Sequence, residues 1–511
     1  MNIQLSQKII EAVVQLGARD FLVCAGARNS PLVMTLEKAQ GINVMNFFEE
    51  RSAAFFALGR SRRDHRPVVV ITTSGTAVAE LIPAAVEATY SQVPLIFITA
   101  DRPRSYRGSG APQSIEQVGI FSHYVERMFD IASLEEELHF EDWSGHRPLQ
   151  INVCFAEPLI DAEIPALKFQ IQEPQRVKNL TPLQTRHVDQ PLVIAGPMEL
   201  HEAKALKPHL LRWQAPIYAE SLSQLSGDPE LQELLLKSGE KAVSDIFAKK
   251  LCRTILRVGG VPTLRFWRDL EDKYHSLPVV SLSSGDYTGL SRSASHLVGI
   301  QNGVLLEARW NEDHRGQIFE EDQLRTTKLR ALLKKYPQSE QGMIFELTQK
   351  IKGSCLYVGN SLPIRAVDLV LPRELSFARI SGNRGANGID GQISSFLGLA
   401  SAAQENWAVI GDLTALYDLS GLWAARFLEK EKLRIVVINN QGGQIFKNMF
   451  QKKIFLNEHD LHFEKWAEMW GFSYEQWAKV PSSLDLSDKC ILELTPEASQ
   501  TDLFVKESQQ L

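Results

Sequence analysis

Short apolar runs alternate with helix-like patterns along most of this chain, and that alternation restricts the folds it can adopt. In "RPVVVITTSGTAVAELIPAAVEATY", a β-branched run ends at a Ser-Gly turn and leads into residues with helical spacing. Repeated units of this kind are typical of βαβ structure around a parallel sheet. Similar units return in a second and a third block of the chain. We therefore predict an α/β protein made of three doubly wound parallel-sheet domains.

The length of the chain agrees with three such blocks. It has 511 residues, and a typical domain has roughly 150. A polar stretch at 166–190 contains two prolines and no clear periodicity, which indicates a linker. We expect domains at 1–170, 185–335 and 340–511. The middle block has neither a G-x-G-x-x-G nor a P-loop motif, so nothing marks it as a nucleotide site.

Charge and cysteine usage narrow the class of protein. The net charge of −6 argues against nucleic acid or an anionic membrane as the main partner. The five cysteines show no C-x-x-C spacing, which argues against zinc and iron–sulfur sites. No apolar run reaches the roughly 20 residues that span a bilayer. Because the amino terminus forms an amphipathic helix pattern rather than a signal peptide, we expect a cytoplasmic protein.

Two strand ends in the third block carry oxygen-rich side chains. Asp412 follows the apolar run Trp407–Ile410, and Asn439 and Asn440 close the next run just before Gly442. If these strands are neighbours, their donors meet at the carboxyl edge of the sheet, where ligands of parallel sheets bind. A carboxylate, an amide oxygen and free carbonyls suit Mg²⁺, which usually shares its coordination with phosphates. The helix predicted after Asp412 would offer its amino-terminal amides to the same anion.

Taken singly, each of these elements has a simpler interpretation. Asp412 could be a helix N-cap, and the Asn-Asn-Gln-Gly segment an ordinary turn. The occurrence of both elements in one chain favours the functional interpretation. Gly-Asp followed one strand later by Asn-Asn resembles the signature of thiamin diphosphate-dependent enzymes. The resemblance implies the thiamin diphosphate-binding fold. It also implies that Asp412, Asn440 and the carbonyl of Gly442 bind Mg²⁺ or Mn²⁺, while Gly411 lies against the cofactor.

The same resemblance implies a carboxylic acid beside the pyrimidine ring of the cofactor. In "VMNFFEERSAAFFALG", Glu50 stands where this superfamily has its catalytic acid. The alternative is that Glu49 and Glu50 mark a solvated helix amino terminus, where acids are favoured anyway. Burial beside apolar groups would raise the pKa of Glu50 and help it to keep its proton. Ile389 is implied to support the bent conformation of the cofactor.

Longer motifs narrow the resemblance to one family. They are "AGARNSPL", "FFEERSAAFFALG", "TTSGTAVAELIPA", "TADRP", "VGNSLPIR", "NRGANGIDG", "GDLTALYDL" and "NNQGGQIF". Together they resemble the MenD family, the 2-succinyl-5-enolpyruvyl-6-hydroxy-3-cyclohexene-1-carboxylate synthases of menaquinone biosynthesis. The match covers the first and third blocks, and the middle block matches only loosely. The family reaction is decarboxylation of 2-oxoglutarate followed by conjugate addition of the succinyl carbanion to isochorismate.

Both substrates are multiply anionic, so the site should contain arginines, whose planar guanidinium pairs with carboxylates. Arg28 precedes Ser30-Pro31, which we interpret as the N-cap and first residue of a helix. Arg365 lies one helical turn after Ser361, so both should face one pocket. Each arginine alone has an ordinary surface or salt-bridge interpretation. By resemblance, the substrate contacts come from Arg28, Arg102, Gln113, Arg265, Ser361, Arg365, Arg384, Ile445 and Phe446.

Three positions depart from the family pattern. Ala27 stands where the family often has serine, and Pro112 replaces a common asparagine. Arg265-Phe266 takes the place of a Lys-Arg pair. The changes at Ala27 and at Arg265-Phe266 concern the substrate pocket, and Pro112 concerns a polar contact near the cofactor. None of them involves Glu50 or the metal-binding set.

Two other functions stay open at this stage. One is another thiamin diphosphate-dependent 2-oxoacid decarboxylase or carboligase. The other is a non-catalytic α/β binding protein, which the presence of both the acid and the metal-binding residues disfavours. In the superfamily, one subunit holds the pyrimidine and its neighbour holds the diphosphate. The resemblance therefore implies a homodimer or homotetramer in which Glu50 acts on cofactor bound by Asp412 of the partner subunit.

Overall fold

Three parallel sheets form the framework of the protein, in agreement with the predicted α/β class. The computed structural model describes residues 1–170, 186–291, 297–298, 306–450 and 452–511. Most of the linker expected at 166–190 lies outside the described residues. The strands Val68–Thr72 and Leu95–Asp101 are buried at every position. Such continuous burial is expected for parallel strands that are covered on both faces of the sheet.

The first sheet has six strands, all of them parallel. The chain enters at the second position, steps to the edge and then turns back across the sheet. Right-handed crossovers that run in opposite directions place helices on opposite faces, so the sheet is doubly wound. In spatial order its strands are Asn43–Phe47, Asp20–Cys24, Val68–Thr72, Leu95–Asp101, Leu149–Cys154 and Arg127–Ile131.

The third sheet repeats this strand order with different residues, and its six strands are again parallel. Its strand order reverses between Cys355–Val358 and Glu405–Gly411. The carboxyl edge at such a switch point is where open parallel sheets bind ligands. In spatial order the strands are Arg379–Ser381, Cys355–Val358, Glu405–Gly411, Lys432–Ile438, Lys489–Leu494 and Ser473–Trp477.

The middle sheet has five parallel strands. In spatial order they are Ile217–Ala219, Pro191–Ala195, Thr254–Val258, Val279–Leu282 and Leu297–Val298. Two short parallel pairs complete the described strands: Arg186–Asp189 with Leu306–Arg309, and Ala39–Gln40 with Leu167–Lys168.

Helices occupy most of the connections between strands. The α-helices are Asn2–Gln15, Ser30–Glu37, Glu50–Asp64, Thr76–Ala79, Ile82–Ser91, Leu200–Trp213, Glu240–Ala248, Arg265–Asp269, Glu312–Lys335, Glu340–Lys350, Leu362–Val370, Gln392–Leu399, Asp412–Tyr417, Lys447–Phe450, Glu464–Met469 and Ala498–Ser508. Short 3₁₀ segments lie at Arg104–Tyr106, Ser122–Tyr124, Ser221–Ser223, Pro229–Leu231, Leu419–Phe427, Gln444–Phe446 and Lys453–Phe455. Within the described residues, none of the helices combines the length and apolar character needed to cross a membrane.

The chain divides into two compact units. The first sheet belongs to the first unit, and the middle and third sheets belong to the second. The first unit comprises Met1–Val177, Asn383–Ala402 and Thr414–Glu431; the second comprises Lys178–Gly382, Ala403–Leu413 and Lys432–Leu511.

Within the first unit, the helix Glu50–Asp64 crosses the helix Gln392–Leu399 at two glycines. A β-carbon on Gly59 would lie 2.1 Å from the carbonyl oxygen of Ser395. One on Gly398 would lie 2.2 Å from the carbonyl oxygen of Phe56. The two helix backbones therefore touch, which only glycine allows at these positions.

Candidate active site

The two oxygen-bearing strand ends are neighbours in the third sheet, which is the condition under which their donors can meet. Glu405–Gly411 pairs with Lys432–Ile438 along its whole length, and Gly411 is the register partner of Ile438. Asp412 and Asn439 therefore leave the sheet side by side at its carboxyl edge. This edge lies next to the switch point of the sheet, so the fold places both residues where a ligand is expected.

Asp412 is buried, and backbone amides hold its carboxylate. Oδ1 accepts a hydrogen bond from the N–H of Leu413 at 2.6 Å, and Oδ2 accepts one from the N–H of Gly442 at 2.9 Å. Gly442 has φ = +127°, and a β-carbon there would lie 2.4 Å from the carbonyl oxygen of Leu456. Burial raises the pKa of Asp412, and the amides of Gly442 and Leu413 counteract this. The side chain thus ties the two strand ends together, and Asp412 is the first residue of its helix.

His459 lies beside the same carboxylate. Its Nε2 atom is 3.3 Å from Oδ2 of Asp412. Its Nδ1 atom accepts a hydrogen bond from the N–H of Leu461 at 3.2 Å, so the proton of the neutral ring belongs on Nε2. The protonated Nε2 thus lies close to the Asp412 carboxylate, although the two make no hydrogen bond in the described structure.

Within the described part of the chain, the side-chain amide of Asn440 forms a hydrogen bond through its nitrogen but not through its oxygen. Nδ2 donates to Oε2 of Glu340 at 3.0 Å, while Oδ1 is buried and has no hydrogen-bond partner among the described residues. A buried oxygen of this kind at the strand ends fits a cation. Together with the carboxylate of Asp412 and the carbonyl of Gly442, it forms the hard donor set expected for Mg²⁺ or Mn²⁺. The residues present therefore fit a metal that anchors a diphosphate.

This donor set mixes one carboxylate with amide and backbone oxygens. In the part of the chain that the structure describes, no group of three or more His, Cys, Asp and Glu side chains could hold a metal ion. Any metal at the strand ends would hence have one protein carboxylate among its ligands, and the others would be neutral oxygens and the phosphates of a cofactor.

Asn439, unlike Asn440, forms hydrogen bonds within the protein that connect the strand end to a following segment. Its Nδ2 donates to Oε1 of Glu493 and to the carbonyl oxygen of Leu461, both at 2.9 Å. Glu493 is fully buried and also accepts hydrogen bonds from His462 and Tyr474, each at 2.7 Å. This network fixes the segment that carries His459 against the end of the strand.

Glu50 begins the helix Glu50–Asp64 in the first unit, and its neighbour takes over the role of capping. Glu49 is the N-cap, and its carboxylate accepts the N–H groups of Arg51 and Ser52 at 3.0 Å each. Glu50 is half-buried, and burial raises its pKa, with the charges of Glu49 and Glu80 adding to the rise. Glu49 therefore caps the helix, and Glu50 is the acid of its first turn and has a raised pKa.

Arg28 follows the strand Asp20–Cys24 and points back to the body of the first unit. Its NH1 donates to the carbonyl oxygen of Phe155 at 3.0 Å and lies 3.4 Å from a carboxylate oxygen of Glu157. The expected cap at Ser30 is wrong by one residue. Asn29 is the N-cap and Ser30 is the first helical residue, because the buried Asn29 side chain closes the turn by bonding Gly26 N–H and the Cys24 carbonyl.

The structure brings Arg102 and Gln113 together at one loop. Arg102 Nε donates to the carbonyl oxygen of Pro112 at 3.0 Å, directly before Gln113. Gln113 has φ = +56° and packs close to Gly75, whose added β-carbon would lie 3.4 Å from the Cα of Gln113. Gly75 belongs to the Thr-Ser-Gly-Thr motif, so two of the family motifs meet here.

Arg384 and Ile389 lie on a turn that Glu87 holds. The buried Glu87 accepts the N–H groups of Gly385 and Ala386, both at 2.7 Å. A cavity of about 190 Å³ lies beside the turn. Its lining includes Gly388 and Asp390, the two neighbours of Ile389 in the chain, together with Phe55, Pro83, Val86, Glu87, Asn383 and Ala386.

In the second unit, Arg265 and Arg365 lie near one acid, Glu240. The N–H of Arg265 donates to Oε2 of Glu240 at 2.9 Å. Burial raises the pKa of Glu240, and the charges of Arg365 and Arg265 counteract the rise. Both arginines are exposed. Ser361 precedes the helix Leu362–Val370 with φ = +72°, a strained conformation for a residue with a side chain.

Ile445 and Phe446 follow Gly443 in the short segment Gln444–Phe446. Phe446 is partly exposed and lies 6.0 Å from Phe450 between ring centroids, and Phe450 stacks on Phe455 at 4.3 Å. Phe446, Phe450 and Phe455 therefore form an aromatic cluster in the chain segment that follows Gly443.

Comparisons with known proteins agree with this arrangement. The family model described as "Thiamine pyrophosphate enzyme, N-terminal TPP binding domain" matches residues 3–120. A 2-succinyl-5-enolpyruvyl-6-hydroxy-3-cyclohexene-1-carboxylate synthase of Bdellovibrio bacteriovorus is 48% identical, over 99% of this chain and 98% of the relative. The chain belongs to this family of synthases. Synthases of the same name from Akkermansia muciniphila and Bacillus pumilus are 34% and 32% identical, over 95% and 92% of this chain and 95% and 89% of their own.

Membership of the synthase family confirms the resemblance drawn from the motifs and the thiamin diphosphate-binding fold. Several residues around the site were not foreseen from the sequence. Glu340 looks like an ordinary first-turn acid after a Ser cap, and His459 lies in a segment without periodicity. Glu87 and Glu240 sit in helices, where an acid usually faces solvent. Only the folded chain shows that these side chains contact the predicted set.

Proposed function

We propose that this chain decarboxylates 2-oxoglutarate and joins the remaining four-carbon unit to isochorismate, giving 2-succinyl-5-enolpyruvyl-6-hydroxy-3-cyclohexene-1-carboxylate and CO₂. The observation that carries this proposal is 48% identity to a synthase of that name along 99% of the chain. Thiamin diphosphate, when bound, supplies the carbon that attacks the 2-oxo group and accepts the electron pair released with CO₂. This step belongs to menaquinone biosynthesis, and the enzyme is a transferase.

The metal-binding role falls to Asp412, Asn440 and the carbonyl of Gly442. They would hold Mg²⁺ or Mn²⁺ against the diphosphate, with Gly411 at the end of its strand close to the cofactor. Support comes from the buried, unpartnered Oδ1 of Asn440 among the described residues and from the fixed carboxylate of Asp412. The helix Asp412–Tyr417 begins at this edge, and the amino terminus of a helix favours an anion.

Glu50 acts as the catalytic acid in this proposal. It would share a proton with the pyrimidine ring, and its raised pKa supports this role. Ile389 would fill the bend of the cofactor, on a turn whose backbone Glu87 fixes.

Binding of the anionic substrates would depend on Arg28, Arg102, Gln113, Arg265, Ser361, Arg365, Arg384, Ile445 and Phe446. Arginine suits this task because its guanidinium forms paired hydrogen bonds with carboxylates. Arg265 and Arg365 gather near Glu240, which limits their mutual repulsion before a substrate arrives. The loss of the second basic residue at Phe266 leaves Arg265 as the cation of that motif.

We further propose that the active enzyme is a homodimer or homotetramer with shared active sites. Each unit exposes large apolar side chains, which suits contact with a second copy. Phe48 and Tyr417 are 56% and 52% exposed in the first unit, and Phe450 and Ile454 are 44% and 82% exposed in the second. Mixing inactive Glu50→Gln and Asp412→Ala subunits should restore part of the activity. No recovery after demonstrated subunit exchange would contradict shared sites.

The division into domains at 1–170, 185–335 and 340–511 and the cytoplasmic location also remain proposals. The three sheets lie within these three stretches of the chain, which supports the division. Limited proteolysis should cut first between residues 170 and 185, and a first cut elsewhere would argue against the boundary.

The decisive assay incubates purified protein with thiamin diphosphate, Mg²⁺, 2-oxoglutarate and isochorismate. Mass detection should find the adduct only when all four are present, and Asp412→Ala should not form it. Release of CO₂ from another 2-oxoacid without formation of the adduct would favour a different thiamin diphosphate-dependent carboligase instead.

A further inference from the structure

Glu340 is a buried acid at the metal-binding edge of the third sheet. It is the first residue of the helix Glu340–Lys350, after the N-cap Ser339, and it is only 2% exposed. Oε2 accepts the hydrogen bond from Asn440 Nδ2 at 3.0 Å. Oε1 has no hydrogen-bond partner among the described residues. A carboxyl group buried with one partner is costly, so its place next to Asn440 calls for an explanation.

The contact with Glu340 decides which way the amide of Asn440 faces. Oε2 of Glu340 accepts the hydrogen bond from Nδ2, and an oxygen that accepts faces the NH₂ end of an amide and not its oxygen end. With Nδ2 held by Glu340, Oδ1 must point to the other side, where it is buried without a partner in the described structure. Gln444 Nε2 holds the backbone carbonyl of Asn440 separately, at 3.2 Å. The side-chain orientation therefore depends on Glu340.

We propose that Glu340 is a positioning residue for the metal, which keeps the amide of Asn440 turned so that its oxygen is available as a ligand. This inference rests on the proposed metal site of Asp412, Asn440 and Gly442. Residues that orient metal ligands usually change metal affinity about 10–100-fold when they are replaced. Glu340 acts only through Asn440 and is not itself a ligand or a catalytic residue.

The test is Glu340→Gln, because glutamine keeps the shape of the side chain but can present either NH₂ or oxygen to Asn440. The amide of Asn440 then loses its single preferred orientation. Glu346→Gln, on the exposed side of the same helix, is the matched control. Free Mn²⁺ is counted by electron paramagnetic resonance in the presence of thiamin diphosphate, which reports binding without catalysis. We expect the Mn²⁺ dissociation constant to rise about 10-fold or more for Glu340→Gln and to stay unchanged for Glu346→Gln.

A reciprocal pair of substitutions separates positioning from general damage. In Asn440→Asp, two carboxylates face each other and metal binding should be weak. Adding Glu340→Gln places the NH₂ group of the new glutamine, a donor, opposite the new aspartate carboxylate, an acceptor. The double variant should therefore bind Mn²⁺ more tightly than Asn440→Asp alone. At saturating Mn²⁺, kcat of Glu340→Gln should return to within a few-fold of the parent protein.

Each result has a clear meaning. Unchanged Mn²⁺ affinity in Glu340→Gln, or a double variant no better than Asn440→Asp, overturns the inference. A fall in melting temperature without a change in Mn²⁺ affinity also overturns it, since that would show a purely structural role. Asp412→Ala distinguishes failure of the metal site itself. If that variant binds Mn²⁺ normally, the proposed site is wrong, whatever Glu340 does.

Discussion

The N–H of Gly442 donates a hydrogen bond to Oδ2 of Asp412 at 2.9 Å, from one strand end to its neighbour. The proposed metal carboxylate and the glycine that offers its carbonyl are therefore fixed to each other by the protein alone. Preorganised ligands of this kind do not have to be gathered when the metal and cofactor bind.

Gly442→Ala should weaken binding of metal and cofactor by more than 10-fold. A methyl group there would meet the carbonyl oxygen of Leu456 at 2.4 Å, and the φ of +127° is unsuited to alanine. Titration calorimetry with thiamin diphosphate and Mg²⁺ measures the effect. Gly353→Ala is the control, because Gly353 has φ = +81° with open space around it. Equal losses in both variants would point to backbone strain alone.

Glu50→Gln should abolish turnover while leaving binding of the diphosphate largely intact, because Glu50 lies in the first unit and the residues proposed to bind the metal lie in the second. Glu49→Gln should act differently. It weakens a helix cap that accepts two backbone N–H groups, and losing such a cap costs about 1 kcal/mol of stability. Steady-state kinetics and urea unfolding distinguish the two. A Glu50→Gln enzyme with normal kcat would exclude Glu50 as the acid.

Asp418→Asn should flatten the pH dependence of stability. Asp418 is fully buried, and burial raises its pKa from the usual 3.8 to about 6, against hydrogen bonds from Ser394 and the charge of Arg51. Between these values the folded state holds more protons than the unfolded state, so the free energy of unfolding falls as pH rises from about 4 to 6. The rise in pKa corresponds to about 3 kcal/mol over that window. Above pH 6 no further change is expected from this group.

Urea unfolding at several pH values tests this prediction. The unfolding free energy of the parent protein minus that of Asp418→Asn should fall by about 3 kcal/mol from pH 4 to pH 7. The exposed Asp485→Asn serves as the control. Parallel curves for the parent and Asp418→Asn would refute the raised pKa.

Gly398→Ala should destabilise the first unit by at least about 1–3 kcal/mol, the usual cost of overpacking. The added methyl group would lie 2.2 Å from the carbonyl oxygen of Phe56, where two helix backbones touch. Gly316→Ala offers a contrast in an exposed helix, with nothing within 4 Å of the new group. That variant should be neutral or gain up to about 1 kcal/mol, because alanine favours helix. Thermal unfolding of both variants provides the measurement.

The sequence predicted those features of the candidate site that depend on the pattern of neighbouring residues along the chain. The apolar runs before Asp412 and Asn440 identify two strands, and parallel topology then brings their ends together. The first and third sheets have the same strand order. The sequence did not reveal this, because the two regions show no recognisable sequence repetition. Pattern also failed for contacts between residues far apart in the chain. Glu340 precedes Asn440 by a hundred positions, and its helix-start context resembles that of any solvated acid.

The small error at Asn29 has a similar cause. Ser-Pro is a common helix start, so residue type alone favours Ser30 as the cap. Asn29 takes that position because its side chain bridges Cys24 and Gly26 across the turn. The distinction depends on the path of the loop, which local propensity does not encode.

The segments Asn383–Ala402 and Thr414–Glu431 pack with the first unit, whereas the strand Glu405–Gly411 between them belongs to the second. The polypeptide thus passes from one unit to the other several times. A gene fragment that encodes only residues 340–511 would produce the helix Gln392–Leu399 without the helix Glu50–Asp64, against which it packs. Attempts to transplant the carboxy-terminal third into another protein must carry that helix along or supply a substitute.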